Sequence, residues 1–222
     1  MTETFPFTGQ QFIAGQRVAS GEPSLVSLRA QDGEPTGQRF YPASVEEAKQ
    51  AAIAAQQAFV CYSLTNAGQR ADFLETIADE LDAAGDELFA TAHQETALPL
   101  ARLQGERART SGQMRMFAGL LRRGDLFEVR IDTALPERQP LPRPDLRQYK
   151  TALGPVAVFG ASNFPLAFSI AGGDTAAALA AGCPVVVKAH PGHMATAEII
   201  ASAIARAVTK CAMPAGVFNM IF

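Results

Sequence analysis

The 222-residue chain contains no tryptophan and only three cysteines, Cys61, Cys183 and Cys211. Three widely spaced thiols, an odd number, exclude a disulfide framework and fit a reducing cytoplasm. No large excess of basic charge is present either: 19 Lys and Arg stand against 22 Asp and Glu, a net charge of −3. That balance argues against a nucleic-acid-binding surface. Long apolar runs are missing too, each being broken by Gly, Asp or Pro, so no membrane span is expected. Residues 1–30 lack a basic start followed by an apolar block, the pattern of a secretory signal. What is present is a hydrophobic share of 48%, ample for a packed core.

The chain divides into three parts. Residues 1–43 are rich in Gly, Pro and polar residues, with a hairpin expected over 12–18 and its turn near Gly15. Ser44 and Glu47 have capping-box spacing and predict a helix to about Tyr62, with Ala51, Ala55, Ala58 and Phe59 on one face. A second helix is expected over 67–84, carrying Phe73, Leu74, Ile77 and Leu81 and stopped by Gly85, and a third over 86–94. Pro99 then opens a charged helix that ends at Gly124. Its apolar face of Leu103, Met114, Phe117 and Leu121 is thin, which predicts a solvated side.

Residues 125–150 hold Pro136, Pro140, Pro142 and Pro144, which excludes a central strand. Alternation over 127–132 predicts one half-exposed strand going out, with a return through 146–149. From Leu153 onward the pattern is βαβαβ: strands at 156–159, 185–188 and 217–222, helices at 166–181 and 194–211. Such alternation predicts a parallel, helix-flanked α/β sheet. The last strand runs to Phe222, an awkward place for a domain to stop; the expectation is a shortened chain with an exposed, aggregation-prone edge there.

Chemistry concentrates between Gly154 and Lys188. Asn163 follows an apolar strand, where open α/β sheets hold ligand chemistry. Its amide either donates to a negative oxygen developing on a carbonyl or caps the next helix, whose first turn Pro165 would direct. Lys188 ends the next strand and is either a donor to a ribose hydroxyl or phosphate or an ordinary exposed lysine. His190, Pro191 and His193 form a cluster after it, read as hydrogen-bonding or cationic groups near a phosphate, or as a plain turn. No further His or paired Cys supports a metal site there. Gly160-Ala161-Ser162-Asn163-Phe164 lacks the last glycine of a hydrolase nucleophile elbow, and Gly172-Gly173 is not a dinucleotide fingerprint but allows close helix packing or cofactor approach. Cys183 reads as a small buried hydrophobe.

The Asn163-Phe164-Pro165 turn followed by Ala181-Gly182-Cys183-Pro184-Val185-Val186-Val187-Lys188 resembles the aldehyde dehydrogenase superfamily. Phe12 to Gly15, the Ser44 helix, Arg70 to Leu74, Glu95 to Arg107 and Ala134 to Pro142 extend the likeness over nearly the whole chain. Ala161-Ser162-Asn163 and Lys188-Ala189-His190 are similar to the α-ketoglutarate semialdehyde (2,5-dioxovalerate) dehydrogenase branch, which NADP-dependent fatty aldehyde dehydrogenases share. The resemblance implies an N-terminal region: residues 1–124 as hairpin and helical part of a cofactor-binding domain, 125–150 as an oligomerisation flap, and 151–222 as the first Rossmann-like βαβαβ unit. It implies Asn163 as the catalytic oxyanion donor and Gly160, Ala161, Ser162, Lys188, His190 and Pro191 as cofactor-binding positions. Pro191 occupies a position where many NAD-preferring relatives carry a glutamate, which implies NADP, with NAD possible. The complete enzyme would act on an aldehyde and assemble as a homo-oligomer. The nucleophilic cysteine and general base are expected outside these residues, so this chain alone would be inactive. The competing reading is a non-catalytic nucleotide-binding or interaction module.

Overall fold

The computed structural model describes residues 5–222; residues 1–4, where the expected N-terminal part begins, lie outside the described residues. Strands β1 (Gln11–Ile13) and β2 (Gln16–Val18) form the expected hairpin, with Phe12 opposite Arg17. Its two turn residues, Ala14 (φ 50) and Gly15 (φ 74), are both left-handed, the turn type whose twist matches the strands. A second hairpin, β3 (Leu25–Leu28) with β4 (Pro35–Phe40), forms a separate sheet. Its short strands, one containing Pro35 and Gly37, show no alternation by which the sequence would reveal them.

Helix α1 (Val45–Tyr62) starts in a complete capping box: Ser44 accepts from the Glu47 amide, and Glu47 accepts from the Ser44 amide. A second box, Asn66 with Gln69, starts α2 (Ala67–Asp82). Phe73, Leu74, Ile77 and Leu81 are buried on α2 as expected. Gly85 (φ 66) takes a left-handed conformation, but α2 stops earlier, at Asp82, and Gly85 is the first residue of α3 (Gly85–Thr96). Helix α4 (Leu100–Arg123) follows Pro99 and closes on left-handed Gly124.

The proline-rich excursion departs from expectation at its start. Residues Asp125–Phe127 form a 3-10 turn, Glu128 is left-handed (φ 44), and only Arg130–Asp132 is strand (β5). Phe127 packs against the core rather than joining the alternation. Strand β5 pairs antiparallel with β6 (Leu146–Gln148) as an isolated two-stranded sheet.

The remaining elements are β7 (Val156–Phe159), α5 (Gly173–Ala181), β8 (Val185–Lys188), α6 (Met194–Lys210) and β9 (Phe218–Ile221). The helix expected over 166–181 begins only at Gly173; residues 165–172 are consecutive turns, so Pro165 directs a turn and not a helix. Strands β7, β8 and β9 are parallel neighbours, as the pattern predicts. Strand β9 is not an edge, however. It also pairs antiparallel with β1, Phe12 opposite Met220, in a mixed sheet ordered β2-β1-β9-β8-β7. The N-terminal hairpin therefore covers the edge that was expected to be open, and β2 and β7 are the two edges of the sheet.

Alternate residues along the strands divide the core. Ile13, Val186 and Ile221 meet Ala51 and Ala54 of α1 on one face; Phe12, Val185, Val187, Phe218 and Met220 face α5 and α6, backed by α2, α3 and α4. Gly216 permits the close fit on the α1 side, since a Cβ there would lie 2.3 Å from the Ala54 carbonyl oxygen. Among the described residues no helix is long and apolar enough to cross a membrane. Because β9 is flanked on both sides, its amide hydrogens are expected to exchange as slowly as those of β8 in native-state hydrogen exchange; fast exchange across β9 would contradict the mixed sheet.

Candidate functional site

The C-terminal ends of β7 and β8 bring the two halves of the expected site together. Phe159 lies beside Lys188 in register, and the Gly160 amide continues the ladder to the Lys188 carbonyl at 3.1 Å. A Cβ on Gly160 would lie 3.3 Å from both the His190 nitrogen and the Ser169 hydroxyl, so the turn after β7 and the loop after β8 touch at this glycine. Ala161 is held from both sides: its amide donates to the Phe168 carbonyl, and its carbonyl accepts from His193 Nε2, each at 2.8 Å.

Ser162 and Asn163 are exposed at the tip of the turn. Asn163 caps no helix, because Gly172 is the N-cap of α5. The Asn163 carbonyl accepts a long 3.4 Å bond from Arg102, whose guanidinium lies over the Phe164 ring. Beyond the tip the backbone is anchored by Glu106 of α4. This buried carboxylate accepts from the amides of Leu166 and Ala167 at 2.9 and 3.0 Å. Gly172 is required just beyond, because a Cβ would lie 2.6 Å from the Ala167 carbonyl oxygen.

Lys188 is half-buried, and its ammonium donates to the carbonyl of Ala189 at 2.7 Å. Burial holds its pKa below the ordinary lysine value. Among the described residues no carboxylate pairs with it. His190 Nδ1 accepts from the Gly192 amide at 3.0 Å and so caps the 3-10 turn Pro191–His193. Burial, then the neighbouring His193 and Lys188, push the His190 pKa down. Pro191 is exposed. His193 differs from the expectation of a cluster near a phosphate: it is fully buried and turned inward to Ala161.

Helix N-termini are the usual phosphate sites of such folds, yet those beside this edge are committed. The first amides of α6, from Ala195 and Thr196, donate to the buried carboxylate of Glu95, both at 2.8 Å. Ser27 and the Thr196 hydroxyl complete its shell. Helix α5 begins with the Gly173 amide bonded to Ala167 and carries Asp174 in its first turn, which opposes an anion. The polar groups left free at this edge are therefore strand-end side chains and turn backbone.

Glu95 and Glu106 escape a reading based on apolar patterns, and His193, expected in the cluster after Lys188, has a buried role that the sequence did not suggest. One signal was available: Glu106 falls in register between Leu103 and Met114, and Glu95 follows Leu88 and Ala92, so each sits on its helix's buried face. None of the three cysteines is at the Asn163 turn. Cys61 is exposed on α1, Cys211 contacts Thr76, and buried Cys183 precedes β8 at the opposite end of the strands. Cys183 lines an apolar cavity of about 410 Å³ with Leu126, Phe127 and Leu153; that cavity lies at the root of the proline-rich excursion, away from Lys188 and Asn163. No group of three or more His, Cys, Asp or Glu among the described residues is arranged to hold a metal ion.

Residues 20–222 match the model of the aldehyde dehydrogenase family. The chain belongs to this family. It is 62% identical over 214 residues to an alpha-ketoglutaric semialdehyde dehydrogenase of Acinetobacter baylyi, a match covering 96% of this chain and 41% of that protein. It is 51% identical over 215 residues to alpha-ketoglutaric semialdehyde dehydrogenase 2 of Azospirillum brasilense, again over 96% and 41%. The crystal structure of an aldehyde dehydrogenase from Brucella melitensis biovar abortus 2308 superposes on all of this chain and on 44% of its own length, with a TM-score of 0.82 at 24% identity, which shows the shared fold. The chain spans about two-fifths of the length of these curated relatives.

Because Glu95 accepts four hydrogen bonds and an amide would turn a donor toward those donors, Glu95→Gln is expected to cost at least about 3 kcal/mol. Urea unfolding checks this; a change under about 1 kcal/mol would show that the anchor is dispensable.

Proposed function

We propose that these residues are the N-terminal, cofactor-binding portion of an aldehyde dehydrogenase that oxidises α-ketoglutarate semialdehyde to the carboxylate with NADP. The observation that carries the cofactor reading is Lys188: a half-buried cation at the C-terminal edge of a parallel sheet, without a carboxylate partner among the described residues. The substrate reading rests on two relatives that bear that activity in their names, at 62% and 51% identity.

The residues present fit a dinucleotide. Burying an ammonium is unfavourable unless a ligand oxygen can share its protons. Side-chain-free Gly160 lets the loops after β7 and β8 form one continuous wall. Lys188 would donate to ribose hydroxyls, with Gly160, Ala161 and Ser162 lining the approach. His190 would hydrogen-bond near the 2′-phosphate. Pro191 brings no negative charge to repel that phosphate, which supports NADP over NAD. The exposed Asn163 amide, which caps nothing, would donate to the oxygen that gains charge as the aldehyde carbon becomes tetrahedral. When bound, the dinucleotide would supply the hydride acceptor.

Residues 1–124, 125–150 and 151–222 then act as the helical part, an oligomerisation flap and the βαβαβ unit of the cofactor domain, in a homo-oligomeric enzyme. With no thiol at the Asn163 turn, the 222-residue chain is expected to give no nicotinamide reduction with α-ketoglutarate semialdehyde and NADP. Robust turnover by the purified chain would overturn this assignment.

Calorimetry on the complete protein tests the cofactor reading. Lys188→Ala is expected to weaken NAD and NADP binding together, by at least about tenfold, the loss of one charge-assisted hydrogen bond. Pro191→Glu is expected to weaken NADP selectively. Wild-type binding of NAD as tight as NADP would remove the NADP preference while leaving Lys188 in place.

A further inference from the structure

We infer that His193 is a positioning residue, the tie that holds the Asn163 turn against the loop bearing Lys188 and His190. The inference rests on the reading of those residues as working groups, but its geometry stands on its own. The turn at 160–164 is continued by no helix, since α5 begins at Gly173. Its order must come from specific bonds. On the far side Glu106 fixes Leu166 and Ala167. On the near side the Ala161 carbonyl, two residues before Asn163, accepts from His193 Nε2 at 2.8 Å.

His193 suits this task because it cannot move. Its ring is fully buried and stacks on His190, centroids 5.2 Å apart and planes 24° from parallel. A carbonyl only accepts, so Nε2 must carry the proton. Nδ1 is buried with no hydrogen-bond partner among the described residues, so the bond to Ala161 is the one that orients the ring. One ring thus contacts both halves of the site: its edge bonds the turn after β7 and its face supports His190. Gly160, in contact with the His190 backbone, is the second point where the two loops meet.

The test is nuclear magnetic resonance on the 222-residue chain, with nucleotide calorimetry on the complete protein. Ring nitrogen shifts should show His193 as the Nε2-protonated tautomer; the Nδ1-protonated form would overturn the inference without any variant being made. In His193→Ala the backbone order parameters of residues 161–164 should fall from about 0.85 to below about 0.6. In His193→Gln, whose amide can donate from a similar position, they should largely recover. Unchanged order in the alanine variant, or no recovery with glutamine, refutes the tie. NADP affinity should fall several-fold in His193→Ala and recover in His193→Gln. If order changes as expected while affinity does not, the tie stands and the cofactor reading of this edge fails.

Discussion

Buried backbone amides that no helix or strand ladder satisfies must find hydrogen-bond partners, and in this chain three buried glutamates supply them. Glu106 serves the turn at 166–167, Glu95 the start of α6, and Glu198 the N-terminal arm through the amides of Thr8 and Gly9. Burying a carboxylate is costly, and several short, charge-assisted bonds to each offset that cost. Glu198 also pairs with Arg17, whose guanidinium lies 3.4 Å over the centroid of the Phe12 ring. The carboxylates thereby join segments far apart in sequence. Without them the turn carrying Asn163 would be a loop hung from β7; with them it is fastened to α4, and α6 is fastened to α3.

This arrangement limits how an anion can be received at the strand ends. In the simplest doubly wound sheet, helix dipoles and free amides receive the phosphate. Here Glu95 occupies that position on α6 and Asp174 discourages it on α5. Positive charge at the strand ends comes instead from side chains, Lys188 after β8, whose pKa is depressed by burial, and Arg102 beside the Asn163 turn. A half-buried lysine and glycine-smoothed backbone suit hydroxyl recognition better than pyrophosphate capture. The same economy explains the histidines: His190 caps the 3-10 turn after β8, while His193 is spent inside on the Ala161 carbonyl.

Much of this architecture was legible because it rests on local chemistry. Ser44 and Glu47 announce α1, Pro99 and Gly124 bracket α4, and unbroken Val-rich runs mark β7 and β8. The readings that failed depend on contacts distant in sequence. Residues 166–172 are apolar and small, as a buried helix would be, but they are turns because Glu106 and the Gly172 approach to Ala167 hold them so. Strand β9 was read as an edge because its partner β1 lies some two hundred residues earlier; Asn219, which accepts from the Ala14 amide, ties the two further. Phe127 opened an apparent alternation only because burial against the core and exposure on a strand look alike in one dimension. The candidate site residues were legible as types and spacings. Their anchors were not, since a glutamate on an apolar face ordinarily signals the end of that face.

One edge strand, β7, links the sheet to the candidate site. It ends in Phe159, a large apolar side chain 74% exposed immediately before Gly160, and among the described residues no strand pairs with its outer side. Exposed apolar edges favour pairing with another strand. The turn that follows β7 has no strand on its outer side among the described residues, so Glu106 and His193 are what fasten it, the one to α4 and the other to the loop after β8.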